Sequence, residues 1–136
     1  MEVIEKEFVS YEIALQMKEL GFDEPCLAWY LPEIVNKSNI ASVILGSYIT
    51  KWNKFGDRLS VPTFSQVFRW FREKYDLFGC IELHVCNPTH WYIRIDDIIK
   101  NDYIYHSEDD NLSFKTYEEA EQACLIKLIE LCQNQI

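Results

Sequence analysis

The chain has few of the residues that break or staple a fold. Four glycines and four prolines in 136 residues exclude a linker, a collagen-like repeat or a low-complexity segment. There is no CxxC pair. The five cysteines, Cys26, Cys80, Cys86, Cys124 and Cys132, are odd in number, which excludes a fully paired disulfide framework and points to reduced thiols. No apolar run approaches the roughly 18 residues of a membrane span. No basic start is followed by an apolar stretch, so no signal peptide is expected and the cytoplasm is the expected compartment. The catalytic patterns HExxH and GxSxG and a phosphate-binding glycine loop are missing. Basic charge is scarce too. Thirteen Lys and Arg face 22 Asp and Glu, a net charge of -9. Such a chain is repelled by nucleic acid and by anionic lipid, so neither is an expected partner, whereas a protein with a basic surface is compatible.

Apolar residues make up 49% of the chain and aromatics 15%. That supply builds a core for one domain over residues 1–136. Met1 to Val9 is charged and reads as irregular or as a short edge strand. Ser10 caps a helix to about Leu20, with Ile13, Ala14, Met17 and Leu20 at helical spacing and Gly21 where a helix ends in positive φ. Cys26 to Leu31 (CLAWYL) reads as a buried strand between Pro25 and Pro32. Ile40 to Thr50 is expected as a strand or hairpin, and Lys51 to Ser60 as an exposed loop. Thr63 and Gln66 form a capping box opening a helix with the apolar stripe Phe64, Val67, Phe68, Phe71 and Tyr75.

Gly79 to Cys86 and Trp91 to Asp97 alternate as a β-hairpin about the turn Asn87-Pro88-Thr89. Pairing Leu83 with Ile93 keeps the apolar sets on one face and sets Glu82 opposite Arg94 and His84 opposite Tyr92. Tyr103 to His106 reads as a third strand, Ser107 to Asn111 as an acidic turn, and Leu112 to Lys115 as a short strand. Thr116 and Glu119 open a C-terminal helix to about Cys132, striped by Ala120, Cys124, Leu128 and Leu131 and buried on a further side through Ile126 and Ile129. The order predicts an α+β fold, a small mainly antiparallel sheet with helices packed on one face.

Three patches could carry function. The polar hairpin face sets Glu82, His84 and Cys86 against His90, Tyr92 and Arg94. His84, Cys86 and His90 are residue types that zinc accepts, and Cys86 with a histidine is also a thiolate–base pair, the basis for a metal- or thiol-dependent hydrolase. The spacing matches no strong metal signature, and neither a metal nor a cofactor is expected. The segment Lys51-Trp52-Asn53-Lys54-Phe55-Gly56-Asp57-Arg58 interleaves Lys51, Lys54 and Arg58 with Trp52 and Phe55, a local basic patch that suits a nucleotide, another small ligand or single-stranded nucleic acid: charge for phosphate, a ring for a base. Arg69, Trp70 and Arg72, with Lys74, are expected on the exposed side of the second helix, with Trp70 off the apolar stripe and between arginines, the composition of a protein-interaction hot spot. The acidic run Asp96 to Asp110 lacks the ligand spacing and glycine of an EF-hand loop.

The stretches FVSYEIALQMKELGFDEPC (Phe8 to Cys26), FSQVFRWFREKY (Phe64 to Tyr75) and TYEEAEQACLIKLIEL (Thr116 to Leu131) resemble small proteins of Bacteroidetes genomes, their prophages and their phages. The resemblance implies a shared small α+β fold and a mobile-element origin; it brings no activity and no site residues. The expected function is a non-enzymatic module that binds a protein partner. A small-ligand or nucleotide-binding protein using the 51–58 segment and the hairpin is the alternative. A sheet with one polar face is also compatible with a homodimer.

Overall fold

The computed structural model describes residues 2–31, 42–43, 50–86 and 89–135. The fold is α+β, built around two three-stranded antiparallel sheets rather than one. The chain divides into two compact units, Met1–Phe64 and Ser65–Ile136.

In the first unit, α1 (Glu2–Glu5) is a single helical turn, so the start of the chain is neither irregular nor a strand there. Phe8 then bridges Thr63, and Val9 N–H donates to the Pro62 carbonyl at 3.1 Å. Helix α2 (Tyr11–Glu19) begins as expected: Ser10 Oγ accepts from Ile13 N–H at 3.4 Å. It ends in Gly21 at φ 95°, a left-handed conformation that a Cβ would strain. Its buried face, Ile13, Ala14 and Met17, is the sequence stripe. The sheet has the order β2 (Ser42–Val43), β1 (Ala28–Tyr30), β3 (Leu59–Val61), with Ala28 opposite both Val43 and Val61. Strand β1 lies inside the expected Cys26 to Leu31, and Cys26 bridges Thr50 just before it. Of the strand or hairpin expected over Ile40 to Thr50, residues 40–41 and 44–49 lie outside the described residues.

The segment Lys51 to Ser60 is not an exposed loop. Trp52–Lys54 form a 3₁₀ turn, Leu59 and Ser60 belong to β3, and Trp52, Leu59 and Ser60 are buried. One side chain organises the segment. Asn53 Oδ1 accepts from Ser60 N–H at 2.9 Å, its own N–H donates to Ser60 Oγ at 3.0 Å, and its Nδ2 donates to the Phe22 carbonyl at 2.9 Å. An amide that both gives and takes closes the loop as a backbone pair would.

In the second unit, α3 (Phe64–Tyr75, its first residue at the boundary) leads into the sheet β4 (Leu77–Leu83), β5 (Trp91–Asp97), β6 (Asp102–His106). Helix α4 (Tyr117–Gln133) follows a 3₁₀ turn at Ser107–Asp110 and a left-handed Asn111. Leu112 to Lys115 forms no strand; Phe114 alone bridges Trp91. Thr116 Oγ1 caps Glu119 N–H at 3.1 Å, while the Glu119 carboxylate accepts from Lys115 N–H rather than Thr116 N–H. Ala120, Cys124, Leu125, Leu128, Ile129 and Cys132 are buried, whereas Ile126 is exposed. Helices α3 and α4 meet the same face of the sheet at Gly79. A Cβ there would lie 2.9 Å from Cys124 Sγ and from Phe68 Cε1, and 3.0 Å from Leu128 Cδ1.

The hairpin register differs from expectation by two residues. Leu83 pairs with Trp91, Ile81 with Ile93 and Gly79 with Ile95. The even slip keeps the paired side chains on their expected faces, but β4 ends at Leu83 rather than Cys86, and Val85, expected in the apolar set, lies in the turn beyond it and is 97% exposed. The charge pair could not fix the register because long side chains reach diagonal neighbours: Arg94 still lies 4.0 Å from Glu82 while standing opposite Cys80. What fixes it is packing. The observed register sets buried Ile95 beside Gly79 and draws buried Leu77 into the ladder.

Candidate functional site

Strands β4, β5 and β6 turn one face to the helices and leave the other open. Pairing arranges the open face in rows: Phe78, Asp96 and Tyr103; then Cys80, Arg94 and His106; then Glu82 and Tyr92. The last two rows are joined by a polar network. His106 Nε2 and Glu82 Oε2 are 3.0 Å apart, and His106 Nδ1 accepts from Glu108 N–H at 3.2 Å. An Nδ1 that accepts leaves the ring hydrogen on Nε2, so His106 donates to Glu82. Arg94 Nε donates to Asp96 Oδ1 at 2.7 Å, and that bond raises the guanidinium pKa further. The Tyr92 ring lies between His84 and His106, with centroids 5.6 and 6.0 Å away. A shallow depression of about 260 Å³ at the loop end is lined by Glu82, His84, Cys86, Tyr92, His106 and Glu108, with Leu83 and Val85.

The structure thus brings together Glu82, Tyr92 and Arg94 from the hairpin expectation and adds Asp96 and His106. His106 was hidden because its strand is joined to the hairpin by a bulge between Ile95 and Asp96, which alternation alone does not reveal. His84 and Cys86 sit at the loop end. His84 Nδ1 accepts from Cys86 backbone N–H at 3.2 Å, and His90 Nδ1 lies 3.2 Å from Thr89 Oγ1. Among the described residues no hydrogen bond joins Cys86 Sγ to either histidine, and no group of three or more His, Cys, Asp or Glu is placed to hold a metal ion. Burial raises the Cys80 thiol, and the Glu82 and Asp96 carboxylates raise it further, against a lowering by Arg94; this is the opposite of an activated nucleophile.

The other two patches are drawn into the fold. Trp52 is buried, with Nε1 donating to the Cys26 carbonyl at 2.7 Å. The Arg58 guanidinium lies 5.1 to 5.8 Å from the rings of Trp52, Trp29 and Phe55. Lys51 faces Asp23 at 3.7 Å, and Lys54 lies 5.2 Å above Phe55. The aromatic faces meant for a base are therefore occupied by the chain's own cation. On α3, Trp70 is not on the exposed side: it is 5% accessible and packs edge-on against Phe71 and Tyr75. Arg69 is exposed and Arg72 half-buried.

Among the described residues no helix is long and apolar enough to cross a membrane. No protein-family model matches the chain, and no curated protein and no solved structure matches it significantly.

Proposed function

We propose that the chain is a non-enzymatic binding module that meets a protein partner through the open face of its second sheet. One observation carries this reading. Aromatic and aliphatic side chains stand exposed on and around a face whose central polar groups are already paired with one another. Phe78 is 40% and Tyr103 50% accessible, beside the Glu82–His106 and Arg94–Asp96 pairs. Paired polar groups need no new partner when water leaves, so covering this face buries apolar area at low desolvation cost. Aromatic anchors beside a fixed arginine are typical of protein interfaces.

The test places a photo-crosslinking phenylalanine analogue at Tyr92 and, as a control, at Ile126 on α4. A discrete protein adduct from position 92 that is missing from position 126 is the expected result. No adduct from position 92, or the same adduct from both, rejects the open face as the binding surface.

A further inference from the structure

The open face is not uniform. Its loop end is polar, and its other end is apolar with an acidic surround. Phe78 and Tyr103 flank Asp96 in one row, about 10 Å apart across three strands. Immediately beyond lies the turn that joins β5 to β6, where Ile98 and Ile99 are exposed, Ile99 at 74%; Ile104, at the bulge, is exposed as well. These side chains stand on a fixed scaffold. Ile98 N–H donates to the Asp76 carbonyl at 2.9 Å, Lys100 N–H to Asp97 Oδ1 at 2.9 Å, and Tyr103 N–H to Asp102 Oδ1 at 2.8 Å. A hydrogen-bonded turn loses little freedom when it is covered.

The charge at this end is predominantly acidic. Asp76 and Asp102 are exposed at this end of the ladder, Asp96 lies between Phe78 and Tyr103, and Asp97 stands with Asp102 in the row of Leu77, on the opposite alternation. Arg94 is held by Asp96 at 2.7 Å, which leaves Lys100 as the basic group of the turn. The second unit as a whole has 13 Asp and Glu against seven Lys and Arg. A second copy docked here face to face would set carboxylates against carboxylates, and nucleic acid or anionic lipid would be repelled.

Resting on the reading above, we propose that this end of the sheet docks a basic amphipathic segment of another protein. Its apolar side chains would seat on Phe78, Ile98, Ile99, Tyr103 and Ile104. Its lysines or arginines would face the exposed carboxylates at the sheet end, Asp76 and Asp102.

The experiment titrates the full chain, ¹⁵N-labelled, with three synthetic peptides. One is an amphipathic helix of Leu and Lys, one has Glu in place of each Lys, and one has the Leu/Lys composition with its amphipathic order scrambled. The Leu/Lys helix is expected to shift amides at 76–78 and 96–104. Its affinity falls about tenfold or more in Ile99→Lys, and at least severalfold in Asp76→Asn/Asp102→Asn or at raised salt. Ile99 is solvent-exposed, and asparagine keeps both the side-chain cap at 102 and the positive φ at 76, so these variants retain the fold. Shifts centred elsewhere, equal binding of the Glu or scrambled peptide, or self-association that Ile99→Lys abolishes would each overturn the proposal. Adducts from position 92 together with any of those outcomes reject this partner chemistry and retain the open face as a binding surface. Selective peptide binding at 76–78 and 96–104 without those adducts supports the docking site and rejects the wider face.

Discussion

Single side chains do more of the fold-making here than their residue types advertise. Asn53 satisfies two groups of Ser60 and the carbonyl of Phe22. Asn53→Ala should therefore cost about 2 kcal/mol in chemical denaturation, since it strands Ser60 N–H in a buried position. Cys124 is buried, and desolvation pushes its thiol up to about 12 from an ordinary 9.0. A group raised in the folded state stabilises fully below its unfolded pKa and loses that contribution as pH rises towards the folded value. Stability should accordingly fall from about pH 9 upwards, with Cys124 contributing at most about 1.4 kcal/mol per pH unit. Cys132, at about 11, and the tyrosines Tyr30, Tyr75, Tyr105 and Tyr117 act in the same sense. Melting temperatures of Cys124→Ala between pH 8 and 11 should show a shallower decline than the parent; an identical slope refutes the assignment. The burial of Cys124 was legible from its place on a helix stripe. The burial of Trp70 was only half legible. It lies three residues from Val67, at the margin of the stripe, and its edge-on contacts with Phe71 and Tyr75 complete the cover.

At the scale of elements, sequence reading succeeded where local physics is strong. Ser10, Gly21 and Thr116 each mark a helix end that the structure contains, because capping is decided within four residues. It failed where packing decides. The hairpin faces followed from alternation, whereas the register followed from the fit of Gly79 beneath α3 and α4. Gly79→Ala tests this directly. Its Cβ would press on the Cys124 sulfur, the Phe68 ring and Leu128, so the substitution should destabilise by about 1–3 kcal/mol and shift the amide resonances of β4 and α4 together. A neutral substitution would mean that the helices do not close on that glycine. The segment 51–60 was misread for a related reason. Its charged and polar letters suggest solvent, yet Asn53 and Arg58 turn inward to an amide network and a ring stack that lie far apart in sequence from their partners.

For the whole molecule, composition gave the class and the sign of the charge, and the candidate site emerged only when three strands were laid side by side. Glu82 and His106 are 24 residues apart, a separation that no local pattern reports. Each compact unit, by contrast, is drawn from one unbroken stretch. Within the first, the seal is made between its two ends: Val9 donates to the Pro62 carbonyl, and Phe64 to the Glu7 carbonyl. During synthesis Glu7 and Val9 must therefore wait for residues 62–64 to leave the ribosome. After that the first unit has all of its own partners while the second is still being made. The direction of translation thus sets an order in which the two halves can close.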